Sequence, residues 1–179
     1  MQKFQQFITL AIVTSLATAL TTAAYAADVR IGSINKNGME VAAVYIQPVT
    51  MEPMTEAMKK PADIHLEADI QALKGNRQGF SEGHWVPYLR ITYVLKKKGS
   101  SWTKSGTLMP MAAADGPHYA ENIKLNGAGK YQLTYHVKPP SLHAFHRHTD
   151  KETGVAKWWK PFDVSWDFTY VGIGKKGGY

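Results

Sequence analysis

The chain has 179 residues, 44% of them hydrophobic, with no cysteine and a formal net charge of +7. That length gives one domain with a sizeable core, and the missing cysteines exclude disulfides, thiolate zinc sites, iron–sulfur clusters and blue-copper centres. A basic balance can suit nucleic acid, but the lysines are scattered or sit in turns such as Lys96-Lys97-Lys98-Gly99, and the leader described next argues against such a partner.

The first element is a signal peptide, residues 1–26. Lys3 precedes a long apolar run that ends in Ala24-Tyr25-Ala26, the small-x-small pattern of a cleavage site. Cleavage after Ala26 leaves residues 27–179 as a single domain carrying +6, because Lys3 departs with the leader. No cysteine follows to take a lipid, and no later run is long and apolar enough to span a bilayer. The expected location is a bacterial periplasm.

Period-2 runs rich in Val, Ile, Thr and aromatic residues then recur between Gly, Pro and Asn. They predict strands over 29–34, 39–47, 62–72, 87–97, 102–109, 119–125, 130–138 and 162–171. The implied fold is all-β, an immunoglobulin-like β-sandwich of seven to eight antiparallel strands. Between the second and third strands, Met51, Met54 and Met58 fall at helical spacing, but Pro53 limits any helix to a turn or two. In the third strand Ile64, Leu66, Ala68 and Ile70 alternate with Asp63, His65, Glu67 and Asp69, so the apolar set enters the core and the polar set shares the other face.

The stretch LMPMAAADGPHY, residues 108–119, reads as a loop bent by Pro110 and by Gly116-Pro117, with Met109 ending a strand as core. Inward positions farther on are Tyr131, Leu133, Tyr135 and Val137, then Val164, Trp166, Phe168 and Tyr170. Residues 139–161 lack alternation and read as a long loop carrying His143, His146 and His148, a length that commonly accompanies function or mobility.

Four segments therefore offer metal donors: His65 with Glu67, Met109 or Met111 with Asp115 and His118, the three loop histidines, and the Met/Glu segment 39–58. A histidine at i and a carboxylate at i+2 leave one face of a strand, close enough to share an ion. Thioether favours copper, imidazole suits copper, zinc or iron, and carboxylate adds affinity for harder ions, so the mixture points to copper, with iron as the physiological alternative. Taken singly, each signal has a plainer explanation: a solvated sheet face, methionine as core filler, exposed loop histidines. Their coexistence in an exported, cysteine-free β-protein carries the metal reading. No G-x-S-x-G elbow, phosphate loop or H-E-x-x-H motif is present.

The blocks GMEVAAVYIQPVTMEP, ADIHLEADI, GHWVPYLRITYVL, MPMAAADGPHYAENIKL, YQLTYHVKPP and RHTDKETGVAKWWKPF, spanning about Gly38 to Tyr170, resemble the periplasmic iron-transport accessory proteins encoded beside an FTR-type iron permease and related to the treponemal lactoferrin-binding lipoprotein. The resemblance implies an immunoglobulin-like homodimer with a copper site near the dimer interface and iron as the transported metal. Carried over by motif, the ligands are His65, an adjustable Glu67, Met111, His118 and, from the second subunit, His148, with His143 and His146 close enough in sequence to substitute for it. Asp115 would support His118, and Glu40, Glu52 and Met54 would belong to a second iron site. The implied function is presentation of iron to an inner-membrane permease. The alternatives are a copper-dependent oxidoreductase acting on iron, or a copper-tolerance chaperone.

Overall fold

The structure is a computed structural model that describes residues 28–56, 58–143 and 145–173, apart from the side chains of Leu142 and His143. The expected signal peptide, with its cleavage point after Ala26, lies outside the described residues. Eight strands form: β1 (Val29–Lys36), β2 (Met39–Ile46), β3 (Ile64–Ala72), β4 (Arg90–Lys97), β5 (Thr103–Ala113), β6 (Gly116–Ile123), β7 (Gly129–Lys138) and β8 (Phe162–Tyr170). A 3-10 turn at Pro140–His143 is the one helical element among the described residues, none of which form a helix long and apolar enough to cross a membrane.

All neighbours pair antiparallel in the order β1-β2-β3-β6-β5-β4-β7-β8. Strand β5 makes this sheet fold over into two layers. Its first half, to Leu108, pairs with β4, and its second half, from Met109, pairs with β6. A strand that changes partners midway is how sandwich corners are made. At the opposite edge β1 touches β8. There Gly32 is required by close approach: a Cβ on it would lie 2.5 Å from Trp166 Cδ1, so only glycine lets the indole lie against β1.

The alternation read from the sequence sets the core. Ile64, Leu66, Ala68 and Ile70 of β3 are fully buried, as are Tyr131, Leu133, Tyr135 and Val137 of β7. Each large side chain of this kind contributes about 1.5–3 kcal/mol by leaving water. Three of the core tyrosines satisfy their hydroxyls by donating to backbone carbonyls: Tyr119 to Val86, Tyr131 to Gly127 and Tyr135 to Glu67. Trp166 and Phe168 are only partly buried, because β8 is an edge strand.

The main departure from the sequence reading is residues 108–119, which form a β-hairpin rather than a loop. Strand β5 runs on to Ala113, the turn is Ala114-Asp115, and β6 begins at Gly116. Pro110 and Gly116-Pro117 are thus not the bend; they lie in the strands, with Pro110 opposite Tyr119 and Pro117 opposite Ala112. Proline is tolerated at Pro110 because β5 has parted from β4 by then, so that side of the strand has no ladder to interrupt. Met109 is correspondingly half-buried on the outer face, not in the core.

Candidate metal centre

The site is built on the outer face of three neighbouring strands. Register places His65 opposite Asn122, Glu67 opposite Ala120, and Met111 opposite His118, so the two-residue alternation sends these side chains to one side. This face is not solvated. His65, Glu67 and His118 are 1%, 7% and 6% exposed, because the segment after β2 comes over them. The result is a hollow of about 580 Å3 lined by His65, Glu67, Met111, His118, Met51 and Glu52 among others.

Within it, His65 Nε2 stands 3.8 Å from Glu67 Oε1. The His65 and His118 rings meet edge-on with centroids 6.0 Å apart. One donor atom from each of His65, Glu67 and His118 lies within 4.8 Å of the other two. An ion bound at about 2.0–2.2 Å needs its donors roughly 3–4 Å apart, so small side-chain rotations close the set. Met111 lines the same hollow beside its cross-strand partner His118 and adds a thioether.

Asn122 fixes the tautomer of His65. Its Nδ2 donates to the Val49 carbonyl at 2.7 Å, which settles the amide orientation, and its Oδ1 accepts from the Val49 amide at 3.2 Å. The same Oδ1 is 2.8 Å from His65 Nδ1. His65 therefore carries its proton on Nδ1 and points the Nε2 lone pair at Glu67 and the hollow, the arrangement a metal-binding histidine needs. Through Val49 the same side chain also fastens the segment that carries Met51 and Glu52.

The charges are tuned by burial. Burial holds His65 below its ordinary pKa, reinforced by His118 and opposed by the Asn122 bond. Glu67 is pushed up to about 7, chiefly by burial and then by Asp69, Asp28 and Asp115; burial raises Asp69 too. Near neutrality Glu67 is thus poised between charge states, and a cation arriving there would be met by a carboxyl ready to release its proton.

Other expected residues fall elsewhere. Asp115 sits at the hairpin turn and lines, with Arg30, Asp69 and His118, a polar hollow of about 230 Å3. Glu40 lies in that hollow and pairs with Arg30 at 2.7 Å, whereas Glu52 lines the main hollow, so these two do not form a common site; Met54 lines neither. His148 is outside the cluster in its own chain. It is exposed on the long loop, with Nδ1 2.7 Å from Thr153 Oγ1, in a turn that Asp150 closes. Stacking of Phe145 on Tyr88 and Phe80 pins that loop. His146 is likewise exposed, and the His143 side chain lies outside the described residues. The sequence reading missed Asn122, although its place four residues after His118 on β6 puts it on the same face.

The profile of the Fe2+ transport protein family matches residues 25–172. The UPF0423 protein of Brucella abortus (strain 2308) is 51% identical over 97% of this chain and 98% of its own. The 34 kDa membrane antigen of Treponema pallidum is 39% identical over 72% of this chain and 66% of its own. Among solved structures, a copper-bound variant of FetP from uropathogenic Escherichia coli superposes with a TM-score of 0.78 at 52% identity, covering 82% of this chain and 99% of that one. The copper-reconstituted P19 protein of Campylobacter jejuni gives 0.78 at 49% identity, covering 83% and 99%.

Proposed function

Because the chain belongs to the Fe2+ transport protein family, we propose that it is an exported copper- and iron-binding protein that assists high-affinity iron uptake by presenting iron to an inner-membrane permease. The observation that carries this is the buried convergence of His65, Glu67 and His118 donors within 4.8 Å, beside the thioether of Met111. Soft sulfur, imidazole and carboxylate together suit copper in either oxidation state, and FetP and P19 have both been solved with copper. Bound there, copper would supply a one-electron redox couple and a fixed cation. Glu67, with its adjustable protonation, is the ligand that changes with the metal's state.

Export through cleavage after Ala26 fits the same reading, and FetP was expressed in the periplasm. The working unit is a homodimer in which His148 of a second copy completes the ligand set. Two features support it. His148 faces outward on a pinned loop. An apolar hollow of about 640 Å3, lined by Trp85, Pro87, Tyr88, Leu89, Pro110 and Tyr119, adjoins the metal hollow through Pro110 and offers that copy a seat.

The test is metal analysis of the purified mature protein, with copper and iron titrated separately into it and into His65→Ala and Met111→Ala variants. Stoichiometric copper lost in the variants, and iron binding that survives copper loading, is the expected result. Copper binding without iron would leave a copper-tolerance protein. Continuous turnover of iron between oxidation states would make it an oxidoreductase.

A further inference from the structure

Where β5 leaves β6 to join β4, a gap opens in the sheet, and the segment after β2 covers it with methionines. The small cavity left there, about 80 Å3, is lined by Met51, Met58 and Met109 together with Glu121 and Asn122. We propose that this cavity is a second metal site, specific for monovalent copper, in which the thioethers of Met51, Met58 and Met109 are the ligands and the Glu121 carboxylate balances the charge.

Three observations converge. First, three methionines, each with a soft, neutral thioether, line one small enclosed hole, and thioethers select Cu(I) over harder cations. Second, Glu121 Oε2 is buried, and the group that faces it is the Tyr93 hydroxyl, in a contact too poorly aligned to make a well-formed hydrogen bond. The Glu121 oxygen occupies the space of a missing side chain: a Cβ on Gly106 would lie 2.5 Å from it and 2.7 Å from the Tyr93 hydroxyl, which also lacks a well-formed hydrogen bond. A buried carboxylate oxygen held only by a poorly aligned phenol is costly, and a cation in the adjoining hole would offset that cost. Third, Met51 lines both this cavity and the hollow of the histidine centre, and Asn122, which holds His65, forms part of its wall. The two sites therefore share a wall.

Packing alone would use methionine here as a flexible plug, and leucine would then serve as well. This separates the two roles. Anaerobic titration of the metal-free protein with Cu(I), competed against a chromogenic chelator, should give two equivalents. A His65→Ala/His118→Ala variant should keep one, and adding Met58→Leu and Met109→Leu should weaken that one by at least tenfold while the melting temperature moves only slightly. Met58→Leu alone serves if the double change impairs folding, and Glu121→Gln should weaken the same equivalent. Retention of tight Cu(I) binding in the leucine variants, or none in the histidine variant, overturns the proposal. The site goes beyond the function proposed above, and the two fail separately: Cu(II) binding in a Met58→Leu/Met109→Leu variant that keeps His65 and His118 reads the histidine centre alone.

Discussion

Asn122 Oδ1 lies 2.8 Å from His65 Nδ1, while the amide nitrogen of the same side chain holds the Val49 carbonyl at 2.7 Å. One residue thus orients a metal-binding imidazole and anchors the cover of its hollow. Asn122→Ala should weaken copper binding by roughly 10–100-fold, the usual effect of removing such an outer partner. Asn122→Asp, which keeps the acceptor, should restore binding and shift the copper absorption and EPR spectra. If neither variant changes affinity or spectrum, Asn122 serves the segment alone.

Metal selectivity should divide between Met111 and Glu67. Replacing Met111 with leucine keeps its bulk but removes sulfur, so Cu(I) affinity should fall by about tenfold or more with Cu(II) little changed. Glu67→Gln should do the reverse. Equal losses of both ions in both variants would show that the two residues act only by shaping the hollow.

The pH dependence of metal-free stability carries a sign. The folded pKa of Glu67, about 7, is above its ordinary 4.5, so the folded state holds an extra proton between those values. Stability from this group is present below about 4.5 and falls as pH rises towards 7. His65, lowered in the fold, gives the opposite slope below its ordinary 6.5. The difference between unaltered protein and Glu67→Gln in urea midpoints at several pH values isolates the first effect: the variant should gain relative stability from pH 4.5 to 7.

If His148 acts across a dimer, His148→Ala and His118→Ala should complement. Mixed after refolding together, the two variants should regain one intact copper site per heterodimer, half the unaltered capacity. No recovery in a mixture shown to exchange subunits would place the fifth ligand within one chain.

Gly32→Ala tests the closure of the sheet edges. With Trp166 Cδ1 only 2.5 Å from the added carbon, overpacking should cost about 1–3 kcal/mol, read as a melting temperature lower by several degrees. Trp166→Phe in the same background should recover part of it.

Much of this was legible because alternation is a local property. The strand Ile64–Ala72 announced both its core residues and its polar face, and His65 with Glu67 followed from that. What alternation could not reveal was what covers the polar face: the burial of His65 depends on the segment from Val49 to Glu52, which carries no strand alternation of its own. The hairpin was misjudged because Pro110, Gly116 and Pro117 are turn signals in isolation. They became strand residues only because β5 parts from β4, a fact about partners distant in sequence. His148 and Asn122 were opposite cases. A motif supplied the first without any contact to the cluster in its own chain, and a contact supplied the second without any motif.

The divided allegiance of β5 has a further consequence. The same strand that presents Met111 to the metal hollow continues into the second layer, where Thr103–Leu108 bonds to β4 and, through it, to β7. Opening either layer therefore disturbs the ligand hairpin. Occupying the hollow should slow amide hydrogen exchange not only around His118 but along β4, far from any ligand, so that the opposite layer registers whether the metal is present.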